Sequence, residues 1–132
     1  MKSYDTKKAA SQYRQLGLQG QVADASPHRL IQLLFEGVLQ RLDAALAAGE
    51  RKDIATTGEQ LGRAIAIIEG LRDSLNLEAG EIAGQLDSLY EYCAIALLNA
   101  NRNQNGDQIR EVRQLVSVLK SGWDGIAPIE NT

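Results

Sequence analysis

Residues 81–100 read EIAGQLDSLYEYCAIALLNA, and within them Ile82, Leu86, Leu89, Cys93, Ala96 and Ala100 follow an unbroken four-three-four-three-four spacing. That spacing keeps the apolar side chains on one face of a helix, the seam by which a helix packs into a bundle. The run from Asn101 to Gly106 breaks the pattern, and Ile109, Val112, Val116, Leu119 and Trp123 then resume it until the exit between Gly122 and Pro128. Upstream, the punctuation Glu78-Ala79-Gly80 is preceded by Leu61, Ala64, Ile68, Leu71 and Leu75, a helix that Asp53 caps and that should end near Asn76. Earlier still, Ser26 reads as an N-cap with Pro27 at the first helical position, and Ile31, Phe35, Val38, Leu42, Ala45 and Leu46 recur at helical intervals until Gly49. Both prolines, Pro27 and Pro128, lie outside this span, so no ring interrupts the helices. Short connections favour antiparallel neighbours, and the expected fold is all-α: an antiparallel up-down-up-down four-helix bundle over residues 26–124, followed by a tail at 125–132.

Residues 1–25 read differently. They are polar, with glycines at 17 and 20, and carry Tyr13, Leu16, Leu18 and Val22 at irregular spacing, so a mobile N-terminal arm is expected. Inside the second predicted helix, Gly58, Gly62 and Gly70 each cost about 1 kcal/mol relative to alanine, and close helix packing is the simplest reason for them.

Composition removes several functional classes. The chain of 132 residues is long enough to bury a core unaided, and with aromatic residues at only 5% that core must be largely aliphatic. A net charge of -3 and a pI near 5.1 argue against a nucleic-acid backbone as partner. No apolar signal region or membrane-spanning stretch is evident, so a cytoplasmic protein is expected, neither secreted by a signal peptide nor inserted in a membrane. Cys93 is the only cysteine and His28 the only histidine, which leaves no disulfide, no zinc framework and no paired Glu-x-x-His set. Cys93 falls on the apolar seam, and no nucleophile elbow or phosphate-binding glycine loop is present. The chain reads as a non-enzyme without a cofactor.

Apolar residues off the seams are more informative, because each residue advances roughly 100° around the helix axis. Ile95 and Leu98 project about 140° to 160° from the seam of the third predicted helix and should face solvent. Val118 is displaced similarly on the fourth, Leu115 by about 80°, and Leu33 points roughly opposite the Ile31 and Val38 face of the first. Some such residues fill corners between helices. Together they also suit a groove for an amphipathic guest helix, with Tyr13, Leu16 and Leu18 of the arm covering part of it when no guest is present. Tyr90 and Tyr92 lie on opposite flanks, so at most one is deep in the core, and Trp123 should close one end of the bundle.

The segment Ala25-Ser26-Pro27-His28-Arg29-Leu30-Ile31-Gln32-Leu33-Leu34-Phe35-Glu36-Gly37 resembles the Ala-Ser-Pro-x-x-Leu-Ile-x-x-Leu-aromatic-acidic-Gly signature of the FliS family of flagellar export chaperones. Arg63-Ala64-Ile65 with Ile67-Ile68, Leu89-Tyr90-Glu91-Tyr92, Leu97-Leu98-Asn99-Ala100-Asn101, and Glu111-Val112 with Trp123 resemble later family blocks in the same order. The resemblance runs from about Tyr13 to Trp123 and implies an antiparallel helical bundle. It implies a chaperone that binds the C-terminal segment of flagellin, keeps it unpolymerised and aids its delivery to the flagellar type III export apparatus, with the export gate as a further contact. It also implies an arm bearing a tyrosine, and Tyr13 holds that position, fourteen residues before Pro27. The glycines at 17 and 20, and Cys93 in place of a bulkier apolar residue, depart from the family pattern. The alternative is a structural or regulatory helical module that forms a homodimer through the same patch. A monomeric chaperone and a weak homodimer both satisfy the surplus aliphatics.

Overall fold

The computed structural model describes residues 3–16 and 26–126. Five α-helices follow in order: α1 (Thr6–Gln15), α2 (Pro27–Glu50), α3 (Ile54–Asp73), α4 (Glu81–Asn103) and α5 (Gly106–Asp124), with a 3₁₀ turn at Leu77–Ala79 before α4. Side-chain oxygens open four of them. Asp5 accepts from the Lys7 and Lys8 amides, Ser26 from Arg29, Asp53 from Thr56 and Asn105 from Gln108. Each such cap satisfies an orphan N–H and contributes about 1 kcal/mol. Before α4 the chain instead turns through Gly80 at φ 116°, a conformation that a side chain would strain.

Polar cross-links fix the packing. Arg41 of α2 donates to Gln60 of α3 at 3.2 Å, Arg72 of α3 pairs with Asp87 of α4 at 2.7 Å, and Tyr92 of α4 donates to Glu111 of α5 at 2.6 Å. Arg113 of α5 pairs with Asp43 of α2, which closes the ring. Neighbouring helices run in opposite directions, with Arg72 late in α3 against Asp87 early in α4 and Asp43 late in α2 against Arg113 in the first half of α5, so α2–α5 form the expected antiparallel up-down-up-down four-helix bundle. Its core is aliphatic, centred on Leu34, Val38 and Leu42 of α2, Leu61, Ile68 and Leu71 of α3, Cys93 and Leu97 of α4, and Val112 and Val116 of α5.

Three local expectations change. Residues 6–15 form a helix, α1, packed on α2 and α3 with Ala9 and Tyr13 buried, where irregular spacing had suggested an arm without regular structure. The second predicted helix stops at Asp73 rather than near Asn76, because Ser74 and Asn76 pair with the N-terminal segment. The Asp5 amide donates to the Ser74 carbonyl at 2.6 Å and the Asn76 amide to the Ser3 carbonyl at 2.7 Å. On α4 the buried face is carried by Ala83, Tyr90, Cys93, Ala94, Ala96, Leu97 and Ala100, whereas Ile82, expected on the seam, is 65% exposed. One side of the first turns of α4 faces an open cleft beside α5, which leaves Ile82 on its rim while Ala83 is buried. Leu18 of the expected arm and residues 127–132 of the tail lie outside the described residues.

Candidate partner-binding site

The N-terminus of α2, the C-terminus of α5 and the start of the chain meet at one end of the bundle. His28 stacks on Trp123 with ring centroids 5.0 Å apart and 14° between planes. The His28 Nε2–H donates to the Trp123 carbonyl at 2.9 Å, and the Trp123 indole N–H donates to the His28 carbonyl at 3.0 Å. The single histidine is thus a structural strut, and Trp123 closes the bundle end as expected. Tyr4 stands edge-on to Trp123, with centroids 5.2 Å apart, and its hydroxyl hydrogen-bonds that of Tyr90 inside the core. Burial pushes the Tyr4 phenol up to about 12 and raises Tyr90 well above its ordinary range, so both stay neutral.

On the outer faces of α4 and α5 lie aliphatic residues open to solvent. Ile95, Leu98 and Val118 are 52%, 55% and 57% exposed, as their helical angles predict. Leu33 and Leu115 are only partly exposed and pack against the core, so they fill corners between helices. Tyr90 is buried and Tyr92 exposed, as opposite flanks require. The Tyr92–Glu111 bond spans α4 and α5 on the outer side and divides the open aliphatics into two zones. Ile95 and Leu98 lie towards the C-terminus of α4, whereas Val118 lies the other way along α5. There Val118 faces Ile82 and Leu86 across a cleft of about 220 Å³, with Leu119, Gly122 and Ile126 beside it and Phe35, Tyr4 and Trp123 beneath. Ile82 and Ile95 are thirteen residues apart, about 20 Å along the helix.

Of the expected covering residues, Tyr13 and Leu16 do not reach Ile95 or Leu98. Leu16 is packed beside Gly70 near the C-terminal end of α3, whereas Gly58, near its N-terminal end, adjoins Asn101 of α4. About 18 Å of α3 separates those two glycines. Tyr13 is buried in the α1 contact with α2 and α3.

Sequence reasoning missed Ile82 and Tyr4. Ala9, Tyr13 and Leu16 carry the four-three spacing that would have revealed α1, but the pattern is hidden when only bulky residues are counted. Tyr4 has no periodic signal, because it is placed by the bridge to Leu75.

Cys93 sits in the core, and burial pushes its thiol up to about 11, which leaves little nucleophilic thiolate at neutral pH. Among the described residues, no group of histidine, cysteine, aspartate and glutamate gathers as a metal set. No described helix is long and apolar enough to cross a membrane. A body of this kind, with aliphatic side chains open on two adjacent helices, belongs to the class of small antiparallel helical bundles.

The chain belongs to the FliS family: the family model for flagellar protein FliS matches residues 9–130. It is 50% identical over 121 residues to the flagellar secretion chaperone FliSB of Pseudomonas aeruginosa, covering 91% of this chain and 96% of that protein. It is 40% identical over 118 residues to the flagellar secretion chaperone FliS of Salmonella typhimurium, covering 88% and 87%. With the FliS of Vibrio cholerae it shares 35% identity over 117 residues, covering 88% and 86%.

Proposed function

We propose that the protein is a cytoplasmic export chaperone that holds the disordered C-terminal segment of flagellin in helical form, prevents its premature polymerisation and delivers it to the flagellar type III export apparatus. The observation that carries this reading is the open aliphatic surface of α4 and α5, in a family whose relatives are secretion chaperones. Exposed aliphatics on adjacent antiparallel helices suit a guest helix with anchors three and four residues apart. No catalytic step is required, since capture and release by a folded groove suffice.

Ile82, Ile95, Leu98 and Val118 each still expose more than half their surface. Covering them contributes about 1 to 1.5 kcal/mol apiece, roughly 4 to 6 kcal/mol together. Ordering a disordered guest costs about 2 to 5 kcal/mol, so the open faces alone give weak capture. Leu33 and Leu115, expected among the anchors, have less surface to give and serve as supports, and the α1 residues Tyr13 and Leu16 act on the α2–α3 side.

Size-exclusion chromatography with light scattering tests the reading. The protein mixed with purified monomeric flagellin should elute as a 1:1 complex, and flagellin lacking its C-terminal segment should elute separately. Equal complex formation by truncated flagellin would contradict it.

A further inference from the structure

The turn between α4 and α5 carries a reactive pair. Asn105 is followed by Gly106, and no other asparagine of the chain precedes a glycine. The side-chain carbonyl of an asparagine is open to attack by the backbone nitrogen of the next residue when that nitrogen is unbonded and no side chain shields it. Both conditions meet at Asn105, which is exposed. As the first residue of α5, Gly106 has no intrahelical acceptor for its N–H, and among the described residues no carbonyl takes it. The Asn105 Oδ1 accepts from the Gln108 amide at 3.2 Å, which leaves Nδ2 without a partner among the described residues. The other described asparagines fail one condition or the other. Asn76 precedes Leu77, Asn99 and Asn101 lie inside α4, and Asn103 precedes Gln104, whose amide donates to the Asn101 carbonyl at 3.4 Å. The kindred pair Asp124–Gly125 is closed as well. Its glycine amide donates to the Ser121 carbonyl at 3.2 Å, and the Lys120 ammonium holds the Asp124 carboxyl below the usual carboxylate range, ionised and resistant to a nucleophile.

We propose that Asn105 is a site of spontaneous deamidation, by which the protein ages at the N-terminus of α5. The Gly106 nitrogen gives its proton to water or hydroxide and bonds to the Asn105 Cγ. The Cγ–Nδ2 bond breaks, and ammonia leaves with a proton from solvent. Water then opens the cyclic imide at either carbonyl, giving aspartate or isoaspartate. At ψ 93° the Gly106 nitrogen lies across the Cα–C bond from the side chain, so the ring closes only after Asn105 rotates and its cap on Gln108 opens. The reaction therefore runs through fraying of the first turn of α5. Gln104, just before it, sits at φ 50°, a left-handed conformation that costs a residue with a Cβ about 1 to 2 kcal/mol and eases that opening. The two products differ in consequence. Aspartate caps a helix as well as asparagine does and adds a favourable negative charge there. Isoaspartate routes the backbone through the side chain and leaves a shorter carboxylate, misplaced for the Gln108 amide. The first turn then loses its cap beside buried Ile109, close to Glu111 and Arg113, which pin α5 to α4 and α2.

The test is peptide mapping by mass spectrometry of the full chain held at physiological temperature and mildly alkaline pH, against a fresh sample digested alongside. Conversion should appear first at Asn105, at least about tenfold faster than at Asn76, Asn99, Asn101 or Asn103, and should quicken as the pH rises, because the amide anion is the nucleophile. In Gly106→Ala the new Cβ would lie 3.5 Å from the Arg110 guanidinium, an ordinary contact, and alanine favours the helix. That variant should melt no lower than the parent and convert Asn105 at least about tenfold more slowly. Aged parent protein should melt below fresh protein, whereas Asn105→Asp, which stands for the aspartate product, should melt no lower than the parent. Conversion at Asn105 no faster than at Asn103, or equally fast in Gly106→Ala, would overturn the site. Complete conversion with an unchanged melting temperature would overturn the loss of the cap.

Discussion

Tyr4 reaches from the first described turn of the chain into the bundle core, where its hydroxyl meets that of Tyr90, eighty-six residues further on. Each hydroxyl is buried and is the other's partner, so removing one strands the other. Tyr4→Phe and Tyr90→Phe should each cost about 1 to 3 kcal/mol, and the double variant should cost less than their sum. Urea unfolding of the four proteins measures that coupling, and strict additivity would show that the two hydroxyls do not interact.

The same pair sets an alkaline limit on stability. The folded Tyr4 phenol lies at about 12 against an ordinary 10.0, so the folded state holds its proton more tightly than the unfolded chain. The contribution is fully present below pH 10 and is lost as the pH rises from there through 12, because only the unfolded state then releases the proton. Stability measured across that window should fall more steeply for the parent than for Tyr4→Phe.

His28 and Trp123 join α2 to α5 by one stack and two hydrogen bonds. His28→Ala should lower stability by about 2 to 4 kcal/mol through the cavity and the Trp123 carbonyl left without its imidazole donor. Since Trp123 is the only tryptophan, its fluorescence emission should shift to the red in the same variant, even where the protein remains folded.

Two glycines of α3 should respond unequally to alanine. A Cβ at Gly62 meets nothing within 4 Å, so Gly62→Ala should stabilise by about 0.5 to 1 kcal/mol. At Gly70 the new atom would lie 3.1 Å from Leu16 Cδ1 and 3.3 Å from Gln12 Oε1, so those side chains must give by a few tenths of an ångström to admit it. Gly70→Ala should therefore lose most of that gain and speed amide exchange across residues 6–15. Equal stabilisation by both would show that α1 does not depend on this close approach.

The bundle was legible because the seams of α2, α3 and α5 are long, and Ser26 and Asp53 cap α2 and α3 as expected. Ile95, Leu98 and Val118 were legible for the complementary reason, since the helical angle that buries a seam also exposes the opposite side. Leu33 and Leu115 were not, because an angle says nothing of how far a neighbouring helix reaches around the corner. Ile82 continued the seam in sequence but not in space, for the cleft depends on where two helices stop closing over each other. The close packing expected of the α3 glycines holds at Gly70 but not at Gly62. Tyr4 was hidden because its place depends on a long-range bridge and not on periodicity.

The most direct test of the proposed function is the heat of mixing a flagellin C-terminal peptide with this protein and with its Ile95→Ser/Leu98→Ser variant, accompanied by circular dichroism. The parent should bind at 1:1 with a negative heat-capacity change and new helical signal, and the variant should remain folded but bind roughly tenfold more weakly. Absence of binding by the parent at every temperature, together with a dimer that dissociates on dilution, would contradict the chaperone reading and assign the aliphatic surface to self-association.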